Sequence, residues 1–262
     1  MASGRRRREP FRSMAMNVAK RVYQELGLAH PTEADIETIA FARNVLVDQG
    51  HLVGVRAQLT CIENRAVITV SDSLAHEQKR FAVAHELGHF EVHPKQAYAV
   101  GCTGRDFVSD YRASGREGEA NAFASEFLMP EALCAKRCDV EKVTWRAVEP
   151  IASEFQVSLT AAAMRFVELC PEAVALVCSH EGKIEWFFKG MDFWGRIEKG
   201  KKLDAWSLAS DYFVKGTLSP NVETVSASSW LEGVSDELDM KEHSISLGSL
   251  GRVLSLLWLP VS

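Results

Sequence analysis

Residues Ser73–Pro94 read S-L-A-H-E-Q-K-R-F-A-V-A-H-E-L-G-H-F-E-V-H-P, and this stretch decides the reading of the chain. Ser73, with Glu77 nearby, suits a helix start, although a strict capping box would want an acid or amide at His76. Leu74, Phe81, Ala84, Leu87 and Gly88 mark an apolar, close-packing side, and Pro94 supplies a stop just after His93. His85-Glu86-Leu87-Gly88-His89 therefore falls mid-helix as H-E-x-x-H. Two imidazoles four residues apart lie on one helix face and can grip a single metal ion. Glu86 is then placed to take a proton from water bound to that ion.

Upstream, His51–Thr60 and Arg65–Val70 are rich in β-branched residues around Glu63-Asn64, so a strand pair is expected ahead of the helix. A sheet followed by an active-site helix suits a metallopeptidase, because an edge strand can pair with an extended peptide. Further upstream, Val18–Gly27 and Thr32–Gln49 read as helices separated by Pro31, with Glu33 and Asp35 in the first turn of the second.

A hydrolytic zinc site needs a third protein ligand and an open position. His93 is four residues further on, but eight residues separate it from His85, a rise of about 12 Å along a helix. One ion cannot be held from both ends. The H-x-x-G-x-x-H continuation of the metzincins is also absent, since Glu91 and Val92 stand in its place. His93 is expected at the helix end or behind the ligands. A better source is Arg116–Pro130, R-E-G-E-A-N-A-F-A-S-E-F-L-M-P, with helical apolar spacing at Ala120, Phe123, Ala124, Phe127 and Leu128 and a stop at Pro130. Glu117 and Glu119 both qualify by type. They stand about 200° apart around a helix and cannot face one ion together. Glu117 is favoured because Asn121, four residues on, resembles the E-x-x-x-D arrangement of thermolysin-like enzymes. The alternative is that both are solvated helix carboxylates.

Gln78–His93, with E-G-E-A-N-A-F-A-S-E-F-L-M-P from Glu117, resembles the ImmA/IrrE family of zinc metallopeptidases. Phe155–Leu169 is a supporting third block, and the resemblance covers roughly Asp35 to Glu185. It implies a cytoplasmic endopeptidase that cleaves a helix-turn-helix transcriptional repressor and so derepresses stress-response or mobile-element genes. By motif matching, His85, His89 and Glu117 would be the zinc ligands and Glu86 the catalytic base. The ligand types would also accept Mn2+. Independently of the family, two neutral histidines and a carboxylate leave net positive charge on zinc, which acidifies bound water. Tyr98 and Tyr111, and less strongly Arg112 and His76, are the candidates for a donor to the developing oxyanion. A different class of function remains open: a non-proteolytic module that binds and sequesters a repressor or antitoxin. A general peptidase acting on short peptides is a third reading.

The expected fold is α+β. A zincin-like metallopeptidase domain over 17–170 holds a small sheet, the active-site helix and a helical lower part with a helix-turn-helix-like pair at 146–169. A smaller aromatic-rich α+β module follows over 171–262. Residues 1–16, with five arginines before Met14, read as a disordered basic tail, and Met14 or Met16 is an alternative start to Met1. In the helix pair, the second member offers only Arg165 among apolar residues, which argues against base reading. The formal net charge of −5 gives no support to general nucleic-acid binding either. No apolar run reaches the length of a membrane span; Leu254–Pro260, the longest, reads as a buried strand. Six cysteines without a C-x-x-C pair read as reduced thiols of a cytosolic protein. In the C-terminal part, Ala173–Ser179 and Lys183–Lys189 flank His180-Glu181-Gly182 as a hairpin, Leu203–Val214 reads as a helix, and Val222–Ser228, Ile245–Leu247 and Arg252–Leu259 as strands. Five of the six tryptophans fall there, so the module could bind a small ligand or a partner.

Overall fold

A computed structural model of the protein describes residues 10–93, 99–102 and 115–260. Its elements, in chain order, begin with α1 (Pro10–Leu26), α2 (Ile36–Ala42), β1 (Val45–Gly50), β2 (Ala57–Ile62), β3 (Arg65–Ser71), α3 (His76–Val92) and β4 (Ala99–Cys102). Four helices follow: α4 (Arg116–Leu128), α5 (Glu131–Cys138), α6 (Trp145–Phe155) and α7 (Leu159–Leu169). The chain ends with β5 (Ala173–His180), β6 (Lys183–Lys189), α8 (Leu208–Lys215), β7 (Glu223–Ser226), β8 (Asp239–Ser246) and β9 (Arg252–Leu259). The fold is mixed α and β with two sheets. Two compact units result, one of residues 1–133 with 152–161, the other of 134–151 with 162–262.

In the first unit the sheet order is β1-β3-β2-β4. β2 and β3 form the expected antiparallel pair, with Ile62 opposite Arg65 so that Glu63 and Asn64 make the turn. β1 is a strand where a continuous helix over Thr32–Gln49 was expected. Asn44 adopts φ 62, a left-handed conformation that an asparagine tolerates and a helix interior does not. Beyond it, Val45, Leu46 and Val47 pair in parallel with Ala66, Val67 and Ile68. The first helix also differs, beginning at Pro10 rather than Val18, so residues 10–16 belong to α1 and not to a disordered tail. Proline suits a first helical turn because its missing N–H has no partner to lose there. Ala15, Met16, Ala19 and Val22 bury one face of α1. Tyr23 fixes that face on α4, donating to the Phe127 carbonyl at 3.0 Å and meeting the Phe127 ring edge-on at 5.1 Å.

α3 lies against β2, β3 and α4. It starts two residues later than Ser73, at the Ala75 N-cap, whose N–H donates to the Gln78 side chain at 3.3 Å. From Ala82 to His89 every residue is buried, so α3 is a core helix rather than a one-sided surface helix. At its C-terminal end, Arg43 clamps Glu91 through Nε at 2.6 Å and Nη2 at 3.0 Å, and reaches Glu25 at 2.7 Å.

In the second unit, five antiparallel strands run in the order β6-β5-β9-β8-β7. The hairpin falls where expected, with Glu181 and Gly182 at φ 50 and 70 making its turn. α8 is shorter than the expected Leu203–Val214 helix, and β8 extends well upstream of Ile245. β5 and β9 are the buried central strands, and Leu254–Leu257 is fully inside. The boundary between units does not fall at 170, because residues 134–151 and 162–170 group with this sheet. Within that group Gly190 explains the close fit: a Cβ there would stand 2.9 Å from the Val174 carbonyl oxygen and 3.0 Å from that of Val167. α7 has no exposed residue, and Arg165 is completely buried and bonded to Glu168 at 2.9 Å. A recognition helix needs an exposed face, so α7 is a packing element.

Among the described residues five cysteines carry free thiols. Burial pushes the Cys138 thiol up to about 12, the Cys170 thiol to about 11 and the Cys178 thiol to about 12, so all three stay protonated and unreactive. No helix among the described residues is long and apolar enough to cross a membrane.

Candidate metal centre

The site is built where α3 and α4 approach most closely. Gly88, between the two motif histidines, makes that approach. A Cβ on it would lie 3.0 Å from the Ala120 carbonyl oxygen and 3.1 Å from Cβ and Cδ1 of Phe123. α4 is thereby seated with its first turn over the imidazoles of α3. Phe123 and Phe127, stacked at 5.5 Å and fully buried, anchor the rest of α4 in the core.

Three side chains converge. His85 Nε2 lies 3.1 Å from His89 Nε2 and 3.2 Å from Glu117 Oε2, and His89 Nε2 lies 3.4 Å from Glu117 Oε1. Donor atoms about 2 Å from a tetrahedral zinc ion stand ~3.3 Å from one another, so this triangle has the dimensions of one face of such a site. His85, His89 and Glu117 are the one group of this kind among the described residues. The histidines are 8% and 2% exposed, whereas the Glu117 side chain is 45% exposed, so solvent reaches the triangle from the Glu117 side.

The ring atoms turned away from the triangle are held as well. His85 Nδ1 donates to Asn121 Oδ1 at 2.8 Å. His89 Nδ1 lies 3.3 Å from His93 Nδ1, and His93 Nε2 donates to Glu119 Oε2 at 2.7 Å. In a chain without metal the two motif imidazoles compete for protons. Burial works against a charge on His85, but the Glu117 contact, the charges of Glu86 and Glu117 and the Asn121 bond prevail and raise its pKa. His89 moves the opposite way: burial, then the neighbouring His85 charge, lowers it against the pull of Glu117. Glu117 is held well below the usual carboxylate range by its contacts to His85 and His89. A divalent cation would take the place of the proton these groups share, and would then meet two imidazole lone pairs and an ionised carboxylate.

Glu86 is completely buried, adjacent to His85 on α3, and its charge reaches as far as Cys61 on β2, where it adds to burial in raising the thiol pKa. Glu119 stays out of the triangle, as the 200° separation requires, and His93 stands one turn beyond it. The proximity of His93 to Glu119 has no signature in spacing alone, because it depends on how α3 and α4 are seated. His76 is exposed at the first position of α3, about 13 Å along the axis from His85, and cannot act as oxyanion donor. Tyr98, Tyr111 and Arg112 lie outside the described residues.

Comparison with known proteins covers the segment that carries this geometry. Residues 40–167, which contain the whole triangle, match the model of the M78 peptidase family, described as the IrrE N-terminal-like domain. Residues 40–167 thus form a domain of the ImmA/IrrE family. No curated protein sequence matches the chain. Among solved structures it is similar in fold to a Mycobacterium tuberculosis transcriptional regulator. The TM-score is 0.59 at 14% sequence identity, over 94% of this chain and 76% of that one. At that identity the likeness speaks for the fold alone.

Proposed function

We propose that the protein is a zinc-dependent endopeptidase acting on a regulatory protein, a helix-turn-helix transcriptional repressor, so that cleavage releases stress-response or mobile-element genes. The observation that carries the reading is the triangle of His85 Nε2, His89 Nε2 and Glu117 with the buried Glu86 beside it. His85, His89 and Glu117 would hold the cation, with manganese as an alternative occupant of the same atoms. When bound, that ion supplies Lewis acidity, polarising the scissile carbonyl and making water a better nucleophile near neutral pH. The protein's own part is proton handling and positioning. Glu86 removes a proton from the attacking water as the C–O bond forms, then delivers it to the amide nitrogen as the C–N bond breaks. The products are a carboxylate and an amine, and Glu86 returns to its starting state. Membership of a peptidase family supports the reaction class.

The test is incubation of the full chain, supplied with Zn2+, with the repressor encoded beside its gene, followed by mass spectrometry. Wild type should yield two fragments. Glu86→Gln should keep its zinc and lose cleavage by at least about a hundredfold. Tight binding of the repressor without cleavage, under all metal conditions, would instead favour sequestration. Cleavage at an unchanged rate by Glu86→Gln would remove the proposed base.

A further inference from the structure

His89 is held from behind by a chain of two side chains. Its Nδ1 lies 3.3 Å from His93 Nδ1, and His93 Nε2 lies 2.7 Å from Glu119 Oε2. The chemistry of the end group sets the direction of both bonds. An ionised carboxylate only accepts, so the proton of a neutral His93 sits on Nε2 and is donated to Glu119. His93 Nδ1 is left with a lone pair and accepts from His89 Nδ1–H. That tautomer leaves the lone pair of His89 on Nε2, the atom 3.1 Å from His85 Nε2 and 3.4 Å from Glu117.

The geometry points to Glu119 and His93 as a positioning pair, which holds His89 in the one tautomer and ring orientation that can bind a cation at the triangle. The inference rests on the reading of His85, His89 and Glu117 as metal ligands. The backbone is arranged for it. His93 is the C-cap of α3 with φ −118 and ψ 55, outside helical geometry, yet its N–H still donates to the His89 carbonyl at 3.0 Å. Its ring is thereby brought to 5.3 Å from that of His89. Glu119 comes from the first turn of α4, two residues past the ligand Glu117. The side chains of His93 and Glu119 are 8% and 14% exposed, so water competes little for either bond. His85 is oriented in one step, by Asn121 two residues further along α4. Glu117, Glu119 and Asn121 thus divide the work among three alternate positions spanning just over one helix turn: ligand, support of His89, support of His85. Hydrogen-bond partners of ligating histidines raise metal affinity by about 10- to 100-fold in known sites.

The experiment is a double-mutant cycle in the full chain, reading Zn2+ affinity by competition with a chromophoric chelator. Wild type should bind about one zinc. Glu119→Gln should keep that stoichiometry and bind roughly 10- to 100-fold more weakly. In a His93→Phe background the same Glu119→Gln change should have no further effect, because its path to His89 is gone. A through-space charge effect, or a fold-level role of Glu119, would persist undiminished in that background and overturn the proposal. So would unchanged affinity in Glu119→Gln, or loss of stoichiometric zinc, which would make Glu119 a ligand. Far-UV dichroism and melting of the metal-free forms identify a variant that fails to fold, and His93→Gln then replaces His93→Phe in the cycle. Absence of zinc binding by wild type would instead sink the metal-site reading itself, before the cycle begins.

Discussion

Glu117 in the first unit and Glu242 in the second are both glutamates ringed by hydrogen-bond donors, and their environments push them in opposite directions. Glu117 faces His85 and His89, and these contacts hold its pKa far down against a smaller burial effect. Glu242 is completely buried and accepts four bonds: Leu208 N–H at 3.0 Å, Ala209 N–H at 2.8 Å, Trp230 Nε1–H at 2.8 Å and Ser244 Oγ–H at 2.7 Å. Burial nevertheless outweighs all four and raises its pKa. The difference lies first in burial, which is complete at Glu242 and partial at Glu117, and then in the donors. Backbone N–H and indole N–H groups can only donate, so Glu242 ends a network, capping the start of α8 and tying it to β8. Imidazoles can also offer lone pairs, so in the proposed reading Glu117 becomes one of three donors aimed at a common cation. The same side chain is structural in one unit and, in the proposed reading, a metal ligand in the other.

The largest effect that would break this comparison is on metal content. His85→Ala and Glu117→Ala should each reduce bound zinc from about one per chain to near zero, measured by elemental analysis after dialysis. Glu242→Gln should leave it at about one. Retention of zinc by Glu117→Ala, with loss in Glu119→Ala, would exchange the roles of the two α4 carboxylates.

Next in size is stability. Glu242→Gln presents an amide NH2 where two donors point, either Leu208 and Trp230 or Ala209 and Ser244, and at least one buried backbone N–H loses its acceptor. A cost of about 1–3 kcal/mol in urea unfolding is expected. The pH dependence follows from the raised pKa. Between the ordinary carboxylate value and the raised one, the folded chain keeps a proton that the unfolded chain has released. Wild-type stability contributed at this site is therefore full below the unfolded pKa and falls as pH rises through the folded value. The margin of wild type over Glu242→Gln should shrink as pH rises through that window. A margin that grows with pH would mean that the four bonds overcome burial and that Glu242 resembles Glu117 after all.

The sequence makes the first unit's chemistry more legible than its packing, and the reason is range. H-E-x-x-H encodes its geometry within one helix turn, and E-G-E-A-N places Glu117 and Asn121 on one face, so His85, His89 and Glu117 could be named before any contact was known. The His93–Glu119 bond, by contrast, depends on the seating of α4 on α3. The strand β1 hid inside an apolar run whose helical spacing was acceptable, because the left-handed turn at Asn44 and pairing with β3 decide its state. The Glu242 network joins β8, α8 and Trp230, elements separated by tens of residues, and no local pattern marks it. The apolar strands β5 and β9 are readable because each is buried on both faces and needs no partner to declare it.

The smallest expected effect concerns Gly88, which neither binds nor reacts. Alanine would favour the helix by up to about 1 kcal/mol, since glycine is the poorer helix former. Against that, its Cβ would press on the Ala120 carbonyl and on Phe123 at 3.0–3.1 Å, closer than such contacts normally stand. Overpacking of a filled core costs about 1–3 kcal/mol. The second effect wins because the obstacle includes backbone, which cannot swing aside as a long side chain can. Gly88→Ala should therefore lose about 1 kcal/mol and melt roughly 2–4 °C lower. It should also bind zinc less tightly, by under about tenfold, as α4 lifts Glu117 a few tenths of an ångström from the imidazoles. The equivalent contact in the second unit, Gly190 against the Val167 and Val174 carbonyls, sharpens the comparison: Gly190→Ala should lower the melting temperature and leave zinc affinity unchanged. Equal zinc affinities for the two variants would show that the α3–α4 spacing does not govern the triangle.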